Sequence, residues 1–383
     1  MNEHLKKNLD VIGILLLMIP IFSLLYLSDT DIPIHARIAK EMLEGGNVLS
    51  GNFLLYLLLN IGSLFTGNGI SIAVSLIIIL SLSETAKYVI TREVFKKITN
   101  ANISKLCAAS LLLVYVIPLL CFLKPFGIFQ SHVNMYLGYL VPNVWHNSTI
   151  IFMMPFSMGL YFLSVKQLRE FSVKRNIYMI LLSVVCVLVK PSFFFIFVVV
   201  WLVMAFWRYK FMKEFWLSIL PILAGGICTL YVYLTIFEQS TDGSGVVISL
   251  MPMLTIEFWN NKILYLLISL SLPIIFIGLY GKTIKDDFEF WYVSLLLAVA
   301  LGISWVCQET GSRANHGNFG WQIIAAMWFV YYYMQKHAII AITSNSLSFK
   351  YCIRNKVFLT LYSIHTMMGF AYLCKIIIFN DLG

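Results

Sequence analysis

Apolar runs long enough to cross a lipid bilayer recur along the whole chain, and they constrain its fold more than any other feature. They lie near 11–27, 70–90, 106–123, 149–165, 176–189, 191–207, 215–237, 262–280, 289–307, 321–334 and 357–378. A helix of about 18 residues or more covers roughly 30 Å of hydrocarbon, so these runs predict an all-α polytopic membrane protein with about eleven transmembrane helices. Charged residues make up only 12% of the 383 positions, against about 25% in soluble domains. One integral membrane domain over 1–383 is therefore expected.

The run Phe53–Phe65 ends at Thr66-Gly-Asn-Gly and is short for a span; it fits an interfacial or re-entrant helix. Loop charge decides its placement. If 53–65 does not cross, Lys6/Lys7, Arg92/Lys96/Lys97/Lys105, Lys166/Arg169/Lys174/Arg175, Arg208/Lys210/Lys213, Lys282/Lys285 and Lys336/Lys350/Arg354/Lys356 share one side. That side then holds most of the 27 basic residues and must be the cytoplasm. The expected setting is a bacterial inner membrane, with the N-terminus cytoplasmic and the active face periplasmic or extracellular. The formal charge of +9 follows from this loop bias and calls for no nucleic-acid partner. Lys6-Lys7 before the first run imitates a signal peptide, but no small-x-small site follows, so a retained helix is expected.

The seven cysteines are scattered without CxxC spacing and read as buried hydrophobes. The opposite face collects 28–69, 124–148, the neighbourhood of Lys190, 238–261 and 308–320, with nearly every unusual polar residue. In 28–69, Asp29 and Asp31 stand where the first helix ends. Ile34, Ile38, Met42 and Leu43 then repeat at helical spacing, predicting an amphipathic helix on the membrane surface. Two interfacial helices are thus expected in this loop. Both carboxylates also suit a plain capping role.

Lys190 interrupts an apolar stretch, a costly place for a charge unless it snorkels or meets an anion such as a lipid phosphate. Arg313 sits in a Gly-rich loop with Glu309, His316 and Asn318, and guanidinium matches phosphate in bidentate fashion. Trp145-His146-Asn147 opens a helix: an interface anchor or cap, or an aromatic platform with hydrogen-bonding neighbours that suits a sugar. Metal binding gains little support. Of His35, His132, His146 and His316 with their acidic neighbours, only Asp31 and His35 have i, i+4 spacing, and Pro33 argues against one continuous helix there. No P-loop, GxGxxG or GxSxG is present, and no cofactor is expected.

The stretch Asp31-xxx-His35-xx-Ile38-Ala39-Lys40-Glu41-Met42-xx-Gly45, then Asn52–Leu59 and Leu64-Phe65-x-Gly67, resembles the first outer loop of GT-C superfamily glycosyltransferases. Aminoarabinose transferases and protein O-mannosyltransferases are examples. Val189-Lys190-Pro191 is similar to the Lys-Gly-Pro turn of that superfamily, whereas the second loop helix lacks the Pro-Pro that usually opens it. The resemblance implies a polyprenyl-phosphate-linked sugar as donor, a glycan or lipid acceptor at the outer face, and inversion by direct displacement. It implies Asp31 as base in preference to Asp29; on the same face Lys190 and Arg313 are the expected phosphate ligands, and His35, Trp145, His146, Asn147, His316 and Asn318 the expected sugar or acceptor contacts. Two alternatives remain: a surface polysaccharide (O-antigen or capsule) repeat-unit polymerase, and a lipid-linked glycan flippase or transporter. A transporter should spread polar residues through its helices and show two similar halves; here they gather on one face and no halves repeat.

Overall fold

The structure is a computed structural model that describes residues 8–45, 52–119, 135, 136, 138–238, 245–248, 262–311, 317–343 and 349–380. It is almost entirely helical. In order the helices are α1 (Leu9–Leu27), α2 (Ile32–Leu43), α3 (Leu54–Gly62), α4 (Gly69–Phe95), α5 (Ala101–Leu113), α6 (Ser148–Arg169), α7 (Val173–Val189), α8 (Ser192–Tyr209), α9 (Lys213–Ser218), α10 (Leu220–Tyr233), α11 (Lys262–Ser269), α12 (Ser271–Ile284), α13 (Phe288–Val306), α14 (Gln322–Thr343) and α15 (Phe349–Phe379). A two-stranded antiparallel ribbon, β1 (Val246–Ile248) with β2 (Cys307–Glu309), pairs Val246 with Glu309.

Among the described residues, seven helical stretches are long and apolar enough to cross a membrane, or eight if the pair bent by 50° at Leu270 is one span. The chain is a multi-pass membrane protein, and the described residues do not confirm the expected count of about eleven. Three expected spans are not among these: α7 has only 17 residues, and α14 and α5 are the other two. In α14 every residue from Gln322 to Gln335 is buried; it packs against α5, α8, α12, α13 and α15 and is a central post, so Tyr331, Tyr332, Tyr333 and Gln335 replace the aliphatics of a lipid-facing helix. The expected helix at 106–123 stops at Leu113. Pro118 has no N–H to offer the Val114 carbonyl, and the Asn143 side chain supplies that donor instead at 2.8 Å.

Helices α2 and α3 are short and pack on each other and on α4. The nine residues of α3 rise only about 14 Å at 1.5 Å per residue, under half the hydrocarbon thickness. Asp31 occupies the N-cap of α2, so Pro33 falls in the first turn, where a missing N–H costs nothing. Pro33 therefore does not separate Asp31 from His35 as the sequence suggested; the His35 N–H reaches the Asp31 carbonyl at 3.3 Å.

Before α6 the chain takes a non-helical path in which every residue from Tyr139 to Asn147 is buried. Irregular backbone inside a membrane protein survives only when protein groups satisfy it. The Leu140 N–H finds Ser269 Oγ at 2.9 Å, and Asn143 donates to the Leu111 and Val114 carbonyls.

Candidate functional site

Four side chains form one hydrogen-bonded line between a cation and a carboxylate. Lys190 Nζ donates to Thr149 Oγ1 at 3.1 Å, and Thr149 Oγ1 donates to Asn147 Oδ1 at 2.9 Å. Asn147 Nδ2 donates to Asp31 Oδ2 at 3.2 Å. The local folding of each element explains the line. Asn147 is the N-cap of α6 and its Oδ1 also accepts from the Ile150 N–H at 3.1 Å, the bond a capping residue makes. Its amide nitrogen is left to face Asp31, which caps α2 without using its own side chain for that purpose. Lys190 ends α7, and Pro191 starts α8 at once, so the two helices diverge at the lysine.

Aromatic rings close around this line. The Lys190 ammonium stands 4.7 Å above the Trp321 ring, a cation–π contact. His146 meets Tyr136 edge-on at 4.5 Å and lies 6.1 Å from Trp321, and the Tyr372 hydroxyl is 3.5 Å from its Nδ1. His35 stacks on Tyr56, with its Nδ1 2.9 Å from the hydroxyl. Trp321 is presented by a 3-10 turn, Asn318–Gly320, entered through Gly317 at φ +60°, a conformation glycine adopts without strain.

Electrostatics set the protonation of the ring residues. Burial first, then the Lys190 charge, pulls His35 down to about 4, against the opposing pull of Asp31. Burial also takes His146 to about 4, with Asp31 opposing and Lys190 assisting. Both imidazoles are neutral near pH 7 and offer one donor and one acceptor each. Burial and the Asp31 charge raise the Tyr136 hydroxyl above its usual value, so it remains protonated.

Of the residues singled out from sequence, Asp31, His35, His146, Asn147 and Lys190 come together. Asp29 does not join them; it is exposed and its backbone N–H is bonded to Asn380 Oδ1, just past α15. Trp145 also turns away, fully buried with its ring 6.2 Å from Phe22 of α1, so the aromatic platform beside Lys190 is Trp321. Asn318 is held by Glu309, donating to its carboxylate at 2.5 Å. Arg313 and His316 lie outside the described residues. Thr149, Tyr56, Tyr136, Trp321 and Tyr372 escape the sequence reading; Thr149 carries a signal, following the capping Asn147 by two positions.

Among the described residues, no three of His, Cys, Asp and Glu are grouped so as to hold a metal ion. The chain matches no family model, and neither curated proteins nor solved structures yield a significant match.

Proposed function

We propose that the protein is a membrane glycosyltransferase of GT-C type that moves a sugar from a polyprenyl-phosphate donor to a glycan or lipid acceptor at the outer face. The observation that carries this reading is the Lys190–Thr149–Asn147–Asp31 line, which joins a cation and a carboxylate through two polar side chains. In the reaction the acceptor hydroxyl gives its proton to the Asp31 carboxylate as its oxygen forms a bond to the anomeric carbon. The bond from that carbon to the phosphate oxygen breaks, and the electron pair leaves with the lipid phosphate. Lys190 stabilises the charge gathering there, as preorganised cations do for leaving groups. Neutral His35 and His146 and the Trp321 ring suit a sugar, whose faces are apolar and whose rim is hydroxylated.

Gene deletion with analysis of surface glycans tests the proposal. Loss of one sugar decoration is the expected result; single repeat units left without polymer would indicate the polymerase instead, and an unchanged surface would overturn both.

A further inference from the structure

The reaction above makes no use of the most deeply buried ion pair in α4. Glu84 and Lys87 are 2% and 4% exposed, and the Lys87 ammonium lies 3.3 Å from each Glu84 carboxylate oxygen. Its shortest contact is elsewhere: Lys87 Nζ donates to Asn143 Oδ1 at 2.6 Å. The Asn143 amide nitrogen donates to the Leu111 carbonyl at 3.1 Å and to the Val114 carbonyl at 2.8 Å. One amide thus joins α4, the end of α5 and the irregular segment that carries His146 and Asn147.

Stability alone does not account for this arrangement. A buried ion pair is commonly neutral or worse beside apolar residues of similar volume, and charges within membrane helices are costly. What the pair adds is direction. With Oδ1 held by an ammonium, the Asn143 amide cannot turn over, and both its N–H groups stay aimed at α5. His146 and Asn147 follow three and four positions later in the same buried segment, so a fixed Asn143 fixes their placement.

We propose that Lys87, held by Glu84, is a positioning residue: it clamps Asn143 and so sets Asn147 against Asp31 and His146 beside Trp321. The role rests on the transferase reading of Asp31, but the clamp itself is measurable without any sugar transfer. Misplacement by about 1 Å can cost on the order of 10²-fold in rate.

The test is the double substitution Glu84→Leu with Lys87→Met, which removes both charges together and leaves no lone buried ion. The protein carries 5-fluorotryptophan at its nine tryptophans, with signals assigned by single Trp→Phe changes, and 19F NMR is recorded in detergent. The expected result is a shifted or broadened Trp145 signal, an unchanged signal from Trp201 deep in α8, and kcat about 10²-fold lower with donor KM within about two-fold. Wild-type kcat in the double variant overturns the positioning role, whether or not Trp145 moves. A Trp201 change as large as that of Trp145 overturns it too, since the bundle has then loosened as a whole. A Trp145 change in a protein whose wild type transfers no sugar removes the transferase reading and leaves the clamp standing.

Discussion

Asn147 Nδ2 meets Asp31 Oδ2 at 3.2 Å, joining residues 116 positions apart in the chain. The same amide caps α6 through its oxygen, so asparagine is needed where aspartate would cap equally well. Asn147→Asp is therefore expected to keep the helix and the fold while setting a second carboxylate against Asp31. Transfer at neutral pH should fall by at least 10-fold, on the order of a lost buried charge-assisted hydrogen bond, with a lower thermal midpoint at neutral pH because the two carboxylates repel. Normal transfer would show that the Asn147–Asp31 contact is incidental.

The base is tested by two isosteric changes. Asp31→Asn should lower kcat by about 10²–10⁴, the usual value of general-base assistance. Asp29→Asn should change it little, because Asp29 is exposed and engages Asn380 through its backbone. The reverse pattern would move the base by two residues, and normal turnover in both would remove the mechanism.

Lys190→Ala and Trp321→Leu separate charge from platform. Loss of the ammonium should weaken donor use by about 10–100-fold, as charge-assisted hydrogen bonds are worth about 1.5–3 kcal/mol. Loss of the ring should cost about 5-fold, corresponding to roughly 1 kcal/mol of cation–π interaction. Equal donor KM in both variants and the wild type would exclude this wall as the phosphate site.

Much of this could be read from the sequence. Apolar runs gave the multi-pass class, and the isolated polarity of Asp31, His35, His146, Asn147 and Lys190 marked five residues that the structure gathers. What escaped depends on neighbours distant in sequence. Trp145 and Trp321 each sit near a helix start, and only packing against Phe22 or Lys190 tells them apart. Glu84 and Lys87 look like an ordinary i, i+3 pair until Asn143 arrives from 56 residues beyond Lys87. The end of α5 needed both Pro118 and a donor from another segment, and the burial of α14 stays hidden because a buried helix and a lipid-facing one are both apolar.

Acid should loosen the site end of the molecule. His35 and His146 lie near about 4 in the folded protein against 6.5 ordinarily, so between these values the unfolded chain takes up more protons. Their contribution to stability is complete above about pH 6.5 and is lost as pH falls toward about 4. His146→Gln should reduce the difference in stability between pH 7 and pH 4.5 by about 1–3 kcal/mol, read from thermal unfolding in detergent at both pH values. An identical pH slope in variant and wild type would contradict the burial of a neutral imidazole.

Close approach of α15 to α5 gives a purely steric prediction. A Cβ on Gly369 would stand 1.4 Å from the Leu113 carbonyl oxygen, a backbone atom with nowhere to go. Gly369→Ala should destabilise by about 3 kcal/mol, the upper end of ordinary overpacking. Gly278→Ala, with nothing within 4 Å of its Cβ, should be neutral or slightly stabilising in its helix. Equal thermal midpoints for the two variants would refute the packing of α15 described here.

Segments made early and late meet at the site: Tyr372 reaches His146, and Asn380 holds the backbone beside Asp31. Synthesis runs from Asp31 to Asn380, so a nascent chain carries its carboxylate into the membrane long before the wall that encloses it has left the ribosome. The Asp31 end of the site is therefore enclosed only once α15 has been made.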